Sequence, residues 1–169
     1  MRAPLLILLA SLALAASACA DEPMEACGGP GQAACEAASW PDWQLEDVQP
    51  DSARYGERYG LDAFAGEVLV VSFLSGWCPY CLGQAVKLEQ LQAELEAEGV
   101  AVQIVAVHDV SADNDDDREA LTSRCSFPVF QDTEDVDAWG QHDGGKDDFY
   151  IYDASGGLHS YYPSGADTN

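Results

Sequence analysis

The chain has 169 residues and carries 30 Asp and Glu against 7 Lys and Arg, a formal net charge of −23. Such a charge repels nucleic acid and anionic lipid headgroups, so neither is an expected partner. The length suits one domain preceded by a short tail.

Met1 to Ala18 reads as an export signal: Arg2 supplies a positive start, Leu5 to Leu14 is apolar, and Ala16-Ser17-Ala18 is a small-residue cleavage site. The apolar run is too short to span a bilayer. Cleavage after Ala18 leaves Cys19 first, the arrangement of a bacterial lipoprotein, which makes Cys19 a lipidation candidate; plain secretion is the alternative. The expected location is the periplasm or outer cell envelope, touching a membrane only through that lipid. Six cysteines in an exported chain fit an oxidising compartment. Residues 19–39 are rich in Gly, Ala, Glu and Pro and read as a flexible tether. Within it, Cys27 and Cys35 flank Gly28-Gly29-Pro30-Gly31 and are read as a structural disulfide, because no helix start supports a second reactive pair.

The folded domain, 40–169, is expected to begin at Trp40-Pro41-Asp42-Trp43. Val68 to Leu74 is apolar almost throughout, as a central strand covered on both faces would be. Leu82, Ala85, Leu88, Leu91 and Leu95 then recur at helical spacing as far as Gly99, a natural stop. Val100 to Val107 makes a second buried strand, parallel to the first. Asp113 to Arg124 starts as an acid-rich loop and becomes a short helix. Its Asp113 to Asp117 run is a solvated loop and no calcium site, since Arg118 stands where the required glycine would be. Phe127 to Phe130 is a short extended piece, and Glu134 to Trp139 one or two helical turns. Cys125 is read as an apolar filler. Asp148 to Tyr152 and Leu158 to Tyr162 form a hairpin across Asp153 to Gly157. The plan is α/β.

The chemistry concentrates in Trp77-Cys78-Pro79-Tyr80-Cys81, at the joint between the first strand and the long helix. Cys78 falls at the helix N-terminus, where free N–H groups and the helix dipole favour thiolate. Pro79 suits the first helical position. Cys81, one turn deeper, can attack a mixed disulfide formed on Cys78. Two thiolates make only half of a closed zinc site, and no second pair follows. No cofactor is called for. His108 ends the second strand on the edge that delivers Cys78, so it is a candidate for proton transfer or site shaping. His142 and Asp147 are weaker candidates of the same kind. Trp139, Tyr150 and Tyr152 are read as packing.

A dithiol before a long helix, with a hairpin closing a mixed sheet, resembles the thioredoxin fold. Further motifs narrow the likeness: Lys87-Leu88-Glu89, Pro128-Val129-Phe130-Gln131, Val136-Asp137-Ala138-Trp139 and Gly145 to Asp153 resemble the N-terminal, thioredoxin-like domain of selenoprotein P, from about Trp40 to Pro163. In the animal members of that family the first redox position is selenocysteine; here it is Cys78, so the resemblance implies a bacterial, sulfur-using relative. Relative to thioredoxins, Ser72 stands where a buried acid assists proton transfer. Lys146-Asp147 falls where a cis-proline precedes the penultimate strand, while Pro128 is read as an ordinary trans-proline. The usual closing helix is expected to be missing, which leaves one face of the sheet poorly covered or covered by the N-terminal segment.

The expected function is thiol–disulfide exchange, reductase direction favoured, with protein or small-molecule disulfides as substrates and a thiol electron donor. The resemblance also allows an antioxidant, peroxide-reducing role. The non-enzymatic alternative is a thioredoxin-fold module that captures metal or a thiol-bearing partner.

Overall fold

The structure, a computed structural model, describes residues 39–164. The expected signal, Cys19, Cys27 and Cys35 lie outside the described residues. The two apolar runs become the centre of a mixed sheet: β3 (Val68–Leu74) and β4 (Val102–His108) pair in parallel from Val68 opposite Val102 to Leu74 opposite His108. On one flank, β4 pairs in parallel with β5 (Val129–Gln131). On the other, β3 pairs antiparallel with β6 (Phe149–Tyr152), which turns through Asp153 to Gly157 into β7 (Leu158–Tyr162). Two short strands, β1 (Leu45–Asp47) and β2 (Arg58–Tyr59), extend the sheet beyond β5 to the order β2-β1-β5-β4-β3-β6-β7. They were not foreseen: each is too short to register as a run, and the buried–exposed alternation from Trp43 to Asp47 ends on a carboxylate. Asp47 is buried because it accepts hydrogen bonds from Tyr59 Oη at 2.7 Å, Gln49 N at 3.0 Å and Val129 N at 3.3 Å, tying β1 to its neighbours.

Alternation along the strands divides the interior into two layers. Leu69, Val71, Phe73, Val105, Val107, Phe130, Tyr150 and Tyr152 face one core with Trp43 and Ala138. That side is covered by a 3-10 turn at Leu61–Phe64 and by helix α3 (Ala138–Gln141), so the helical turns expected at Glu134–Trp139 start later. Leu74, Ile104, Ala106 and Val129 face the other core, with Cys78, Cys81, Ala85 and Leu88 of the long helix α1 (Pro79–Ala97) and Leu121 of α2 (Asp115–Thr122). Asn114 caps α2 by accepting from Asp117 N at 3.0 Å, and three aspartates fill its first turn.

The apolar stripe of α1 outruns its cover. Cys81, Ala85 and Leu88 are buried, but Leu91 is 41% exposed. Leu91 borders an apolar groove with Val70, Leu88, Phe149, Ile151 and Tyr162, beside the strand that ends the described sheet. Among the described residues no element packs over it.

Candidate active site

β3 and β4 end level, so the Ser75–Cys78 loop and His108 meet at the carboxyl edge of the sheet. The loop is held tightly. Cys78 N donates to Ser75 O at 3.1 Å, and Gly76 packs so closely on α2 that a Cβ would sit 1.9 Å from the backbone oxygen of Asp117. Gly76 is therefore glycine for lack of space. Its N–H donates to His108 Nε2 at 3.0 Å. That assigns the proton of the ring to Nδ1, which donates to Gln131 Oε1 at 2.8 Å. The Gln131 amide is oriented in turn by donating to the carbonyls of Asp109 and Asp132, at 3.3 and 3.1 Å. Burial depresses the pKa of His108, consistent with a neutral ring. Both ring nitrogens are thus engaged away from the thiols, and the influence of His108 on Cys78 runs through the loop it anchors.

Cys78 is the N-cap of α1, and its sulfur accepts from Cys81 N at 3.4 Å. Both cysteines are in the thiol form and buried, Cys78 at 5% and Cys81 at 0% exposure, while the flanking Trp77 and Tyr80 stand 52% and 63% exposed. Cys78 is thus the sulfur nearer the surface, framed by two aromatic rings. Burial acts to raise its pKa. Hydrogen bonding from the Cys81 thiol and backbone N–H, then from the Lys146 ammonium and Tyr80 N–H, outweighs burial and leaves the pKa of Cys78 below the ordinary thiol value. Cys81 is shifted the opposite way, first by burial, then by the facing Cys78 sulfur and Asp147 carboxylate, which favour its protonated form.

The loop before β6 completes the site. Asp148 pins it by accepting from Gly145 N at 2.7 Å, Tyr161 Oη at 2.8 Å and Ser164 N at 2.6 Å. Asp147 adopts the left-handed region at φ 68°, and its N–H donates to Phe73 O at 2.8 Å. This turn brings Lys146 Nζ to 3.4 Å from Cys78 Sγ and 2.6 Å from Asp147 Oδ2. No peptide bond among the described residues is cis, Pro128 included. The Lys146-Asp147 pair occupies the flank of the dithiol from the place where thioredoxins were expected to carry the cis-proline.

Asp147 therefore sits where the sequence put it, with a carboxylate oxygen within 4.8 Å of both sulfurs. His142 does not. It lies in the other core, ringed by Phe73, Trp43, Tyr150 and Tyr152 at centroid distances of 4.9 to 6.3 Å. The helical turns of α3 lift it over the opposite face of the sheet, so it does not approach the dithiol. Lys146 was missed as a site residue, because a lone lysine in an acidic chain reads as a solvated surface group; its spacing ahead of the hairpin was the available signal. Cys125 is a buried thiol among the second core, its pKa pushed up to about 12 mainly by burial. Cys78, Cys81 and Asp147 bring three possible ligand atoms within 4.8 Å of one another, and the Lys146 ammonium is bonded to two of those residues, Cys78 and Asp147.

Replacing Lys146 with Met removes the one full positive charge bonded to Cys78 among the described residues. We expect alkylation of Cys78 by iodoacetamide at pH 6 to 7 to slow several-fold, about 10-fold for each unit by which the thiol pKa rises, with the rate–pH profile displaced upward. An unchanged profile would show that the helix terminus alone sets the thiolate.

A dithiol at the N-terminus of the helix that follows a central parallel strand, in a sheet closed by an antiparallel hairpin, defines a thioredoxin-like protein. The fold matches a putative thiol:disulfide interchange protein DsbE from Chlorobium tepidum with a TM-score of 0.59 and 22% identity, covering 74% of this chain and 82% of that one. It likewise matches a secreted Mycobacterium tuberculosis disulfide oxidoreductase homologous to E. coli DsbE, with a TM-score of 0.55, 20% identity and coverage of 74% and 85%. The profile of the family described as Selenoprotein P, N terminal region, matches residues 31–162, and the chain belongs to that family. Bovine selenoprotein P is 33% identical over 122 residues and the human protein 35% over 122, each covering 70% of this chain. The chain spans under a third of these relatives, 28% and 29% of their lengths.

Proposed function

We propose that this chain is an exported thiol–disulfide oxidoreductase that works in the reducing direction. The observation that carries the reading is the asymmetry of the pair: a stabilised sulfur at the helix cap, 3.4 Å from an ammonium, above a fully buried one. In the reaction the Cys78 thiolate attacks one sulfur of a substrate disulfide. The Cys78–substrate bond forms and the other half of the substrate leaves as a thiolate. Cys81 then attacks Cys78 Sγ, forming the Cys78–Cys81 disulfide and expelling the second half. Two electrons pass from the dithiol to the substrate, and an external thiol donor must return them. Trp77 and Tyr80, exposed beside Cys78, offer the apolar surface against which a substrate would lie.

Export is supported by the leader-like first 18 residues and by fold likeness to a protein described as secreted. A periplasmic or envelope location, lipid-anchored through Cys19, fits the same features. Peroxide reduction by Cys78 is the second enzymatic reading, favoured by a thiol whose pKa lies below the ordinary value, the kind that peroxide oxidises.

The test is the equilibrium between reduced and oxidised protein in a graded thiol buffer, read by alkylation and mass. A reversible Cys78–Cys81 disulfide with a potential near about −270 mV supports the reductase, and one near about −120 mV an oxidant. If no reversible disulfide forms between the two, the redox reading fails and a binding module takes its place. Formation of a Cys78 sulfenic acid with hydrogen peroxide, in a chain lacking Cys81, separates the peroxidase.

A further inference from the structure

We propose that Asp147 is the proton acceptor that frees Cys81 for the resolving step, an assignment that rests on the dithiol reading above. The need for such a group follows from the site. Cys81 is fully buried and held as a thiol, and a thiol must lose its proton to attack Cys78. Where thioredoxins were expected to place a buried acid, this chain has Ser72, buried and with its Oγ unpartnered among the described residues. Neither nearby histidine can serve. His108 uses both nitrogens on Gly76 and Gln131, and His142 lies in the opposite core against Phe73, Tyr150 and Tyr152.

Asp147 meets the requirement from a different element. It is 6% exposed, and one carboxylate oxygen lies within 4.8 Å of both sulfurs, a span that direct transfer after a small side-chain adjustment, or one bridging water, can cover. Its Oδ2 is paired with Lys146, while Oδ1 is buried without a hydrogen-bond partner among the described residues. A buried carboxylate oxygen with nothing to bind is costly to maintain, and such groups gather where a reaction uses them. The left-handed φ of Asp147 and its N–H bond to Phe73 O fix the backbone at the end of β3, and from there the buried carboxylate lies beside the dithiol with the Lys146 ammonium on its Oδ2.

With Cys78 joined to half of the substrate, the Cys81 S–H bond breaks and its proton passes to the Asp147 carboxylate. The Cys81 electron pair forms the Cys81–Cys78 bond as the Cys78–substrate bond breaks. The departing thiolate takes up the proton from Asp147, which restores the carboxylate.

The experiment uses 5,5′-dithiobis(2-nitrobenzoate) on the reduced full chain, because each thionitrobenzoate released is coloured and the two steps appear separately. The first equivalent reports attack by Cys78 and the second reports resolution by Cys81. A chain carrying both Cys78→Ser and Cys81→Ser, run in parallel, subtracts the remaining thiols. For Asp147→Asn the expected result is a second phase slowed about 10²-fold near pH 7, rising tenfold per pH unit as hydroxide replaces the lost base, while the first phase changes far less. Equal second-phase rates in Asp147→Asn and the parent chain would overturn the assignment. A parent chain that releases one equivalent and no second overturns the dithiol reading itself. Should Asp147→Asn fail to fold, the parent's own second phase decides: little dependence on hydroxide between pH 6 and 8 supports an internal base, and a tenfold rise per unit refutes it.

Discussion

Replacing Cys78 with serine is expected to lower turnover of a model disulfide by ~10³-fold or more, whereas replacing Cys81 should trap substrate on Cys78 as a stable mixed disulfide. The asymmetry follows from where α1 puts the two sulfurs. Cys78 caps the helix and receives the Cys81 N–H and the Lys146 ammonium, so its anion is stabilised before substrate arrives. A serine hydroxyl at the same place stays protonated and is a poor nucleophile toward sulfur. Cys81 is buried one turn inside the helix, where a bulky disulfide cannot reach it first. With serine there, the first exchange still happens and nothing follows. Mass spectrometry of the protein after exposure to a disulfide reads both results: an adduct on the Cys81→Ser chain and none at the site of the Cys78→Ser chain. Adducts on Cys78 and Cys81 in equal amounts would mean that burial does not order the two steps.

The second large effect concerns stability in acid. His142 is buried in the aromatic core, its Nδ1–H donates to Ala138 O at 2.8 Å, and Nε2 has no partner among the described residues. Protonating Nε2 would place a charge among the rings of Phe73, Tyr150 and Tyr152, and burial pushes the pKa down to about 4. In the unfolded chain an ordinary histidine titrates near about 6.5. Between those values the unfolded state binds the proton that the folded state refuses. This contribution therefore favours folding fully above about pH 6.5, and about 3 kcal/mol of it is lost as pH falls toward 4. His142→Phe keeps a ring and removes the titration. Urea unfolding of both chains from pH 7 to 4 should show the difference in stability between parent and variant shifting by about that amount in favour of the variant. Parallel curves would show that the ring takes its proton without cost.

Both residues show how far local pattern reaches. Cys78, Pro79 and Cys81 were legible as a helix-start dithiol because N-capping, proline placement and thiol spacing are all local rules. The strands β3 and β4, the helix α1 and the hairpin were legible for the same reason: each is long enough for periodicity to speak. The short strands β1 and β2 were not, since the pairing of β1 with β5 is fixed by contacts far along the chain, through the buried Asp47, and β2 pairs in turn with β1. The stripe from Leu82 to Leu95 was read from its helical spacing, and only part of it finds cover.

His142 and Asp147 stand five residues apart in one connection, and the sequence alone treated them alike. Their separation to opposite faces of the sheet comes from α3 and from the left-handed turn at Asp147, neither of which a composition or a spacing dictates. Lys146 gained its partner the same way: an ammonium is a surface charge until a turn pinned by Asp148 brings it beside Cys78. The sequence by itself determined the α/β plan, the dithiol and its polarity, because helix ends and hydrophobic periods act over a few residues. Only the tertiary structure decided which charged groups surround the sulfurs, because strand pairing and loop closure set distances between residues remote in the chain.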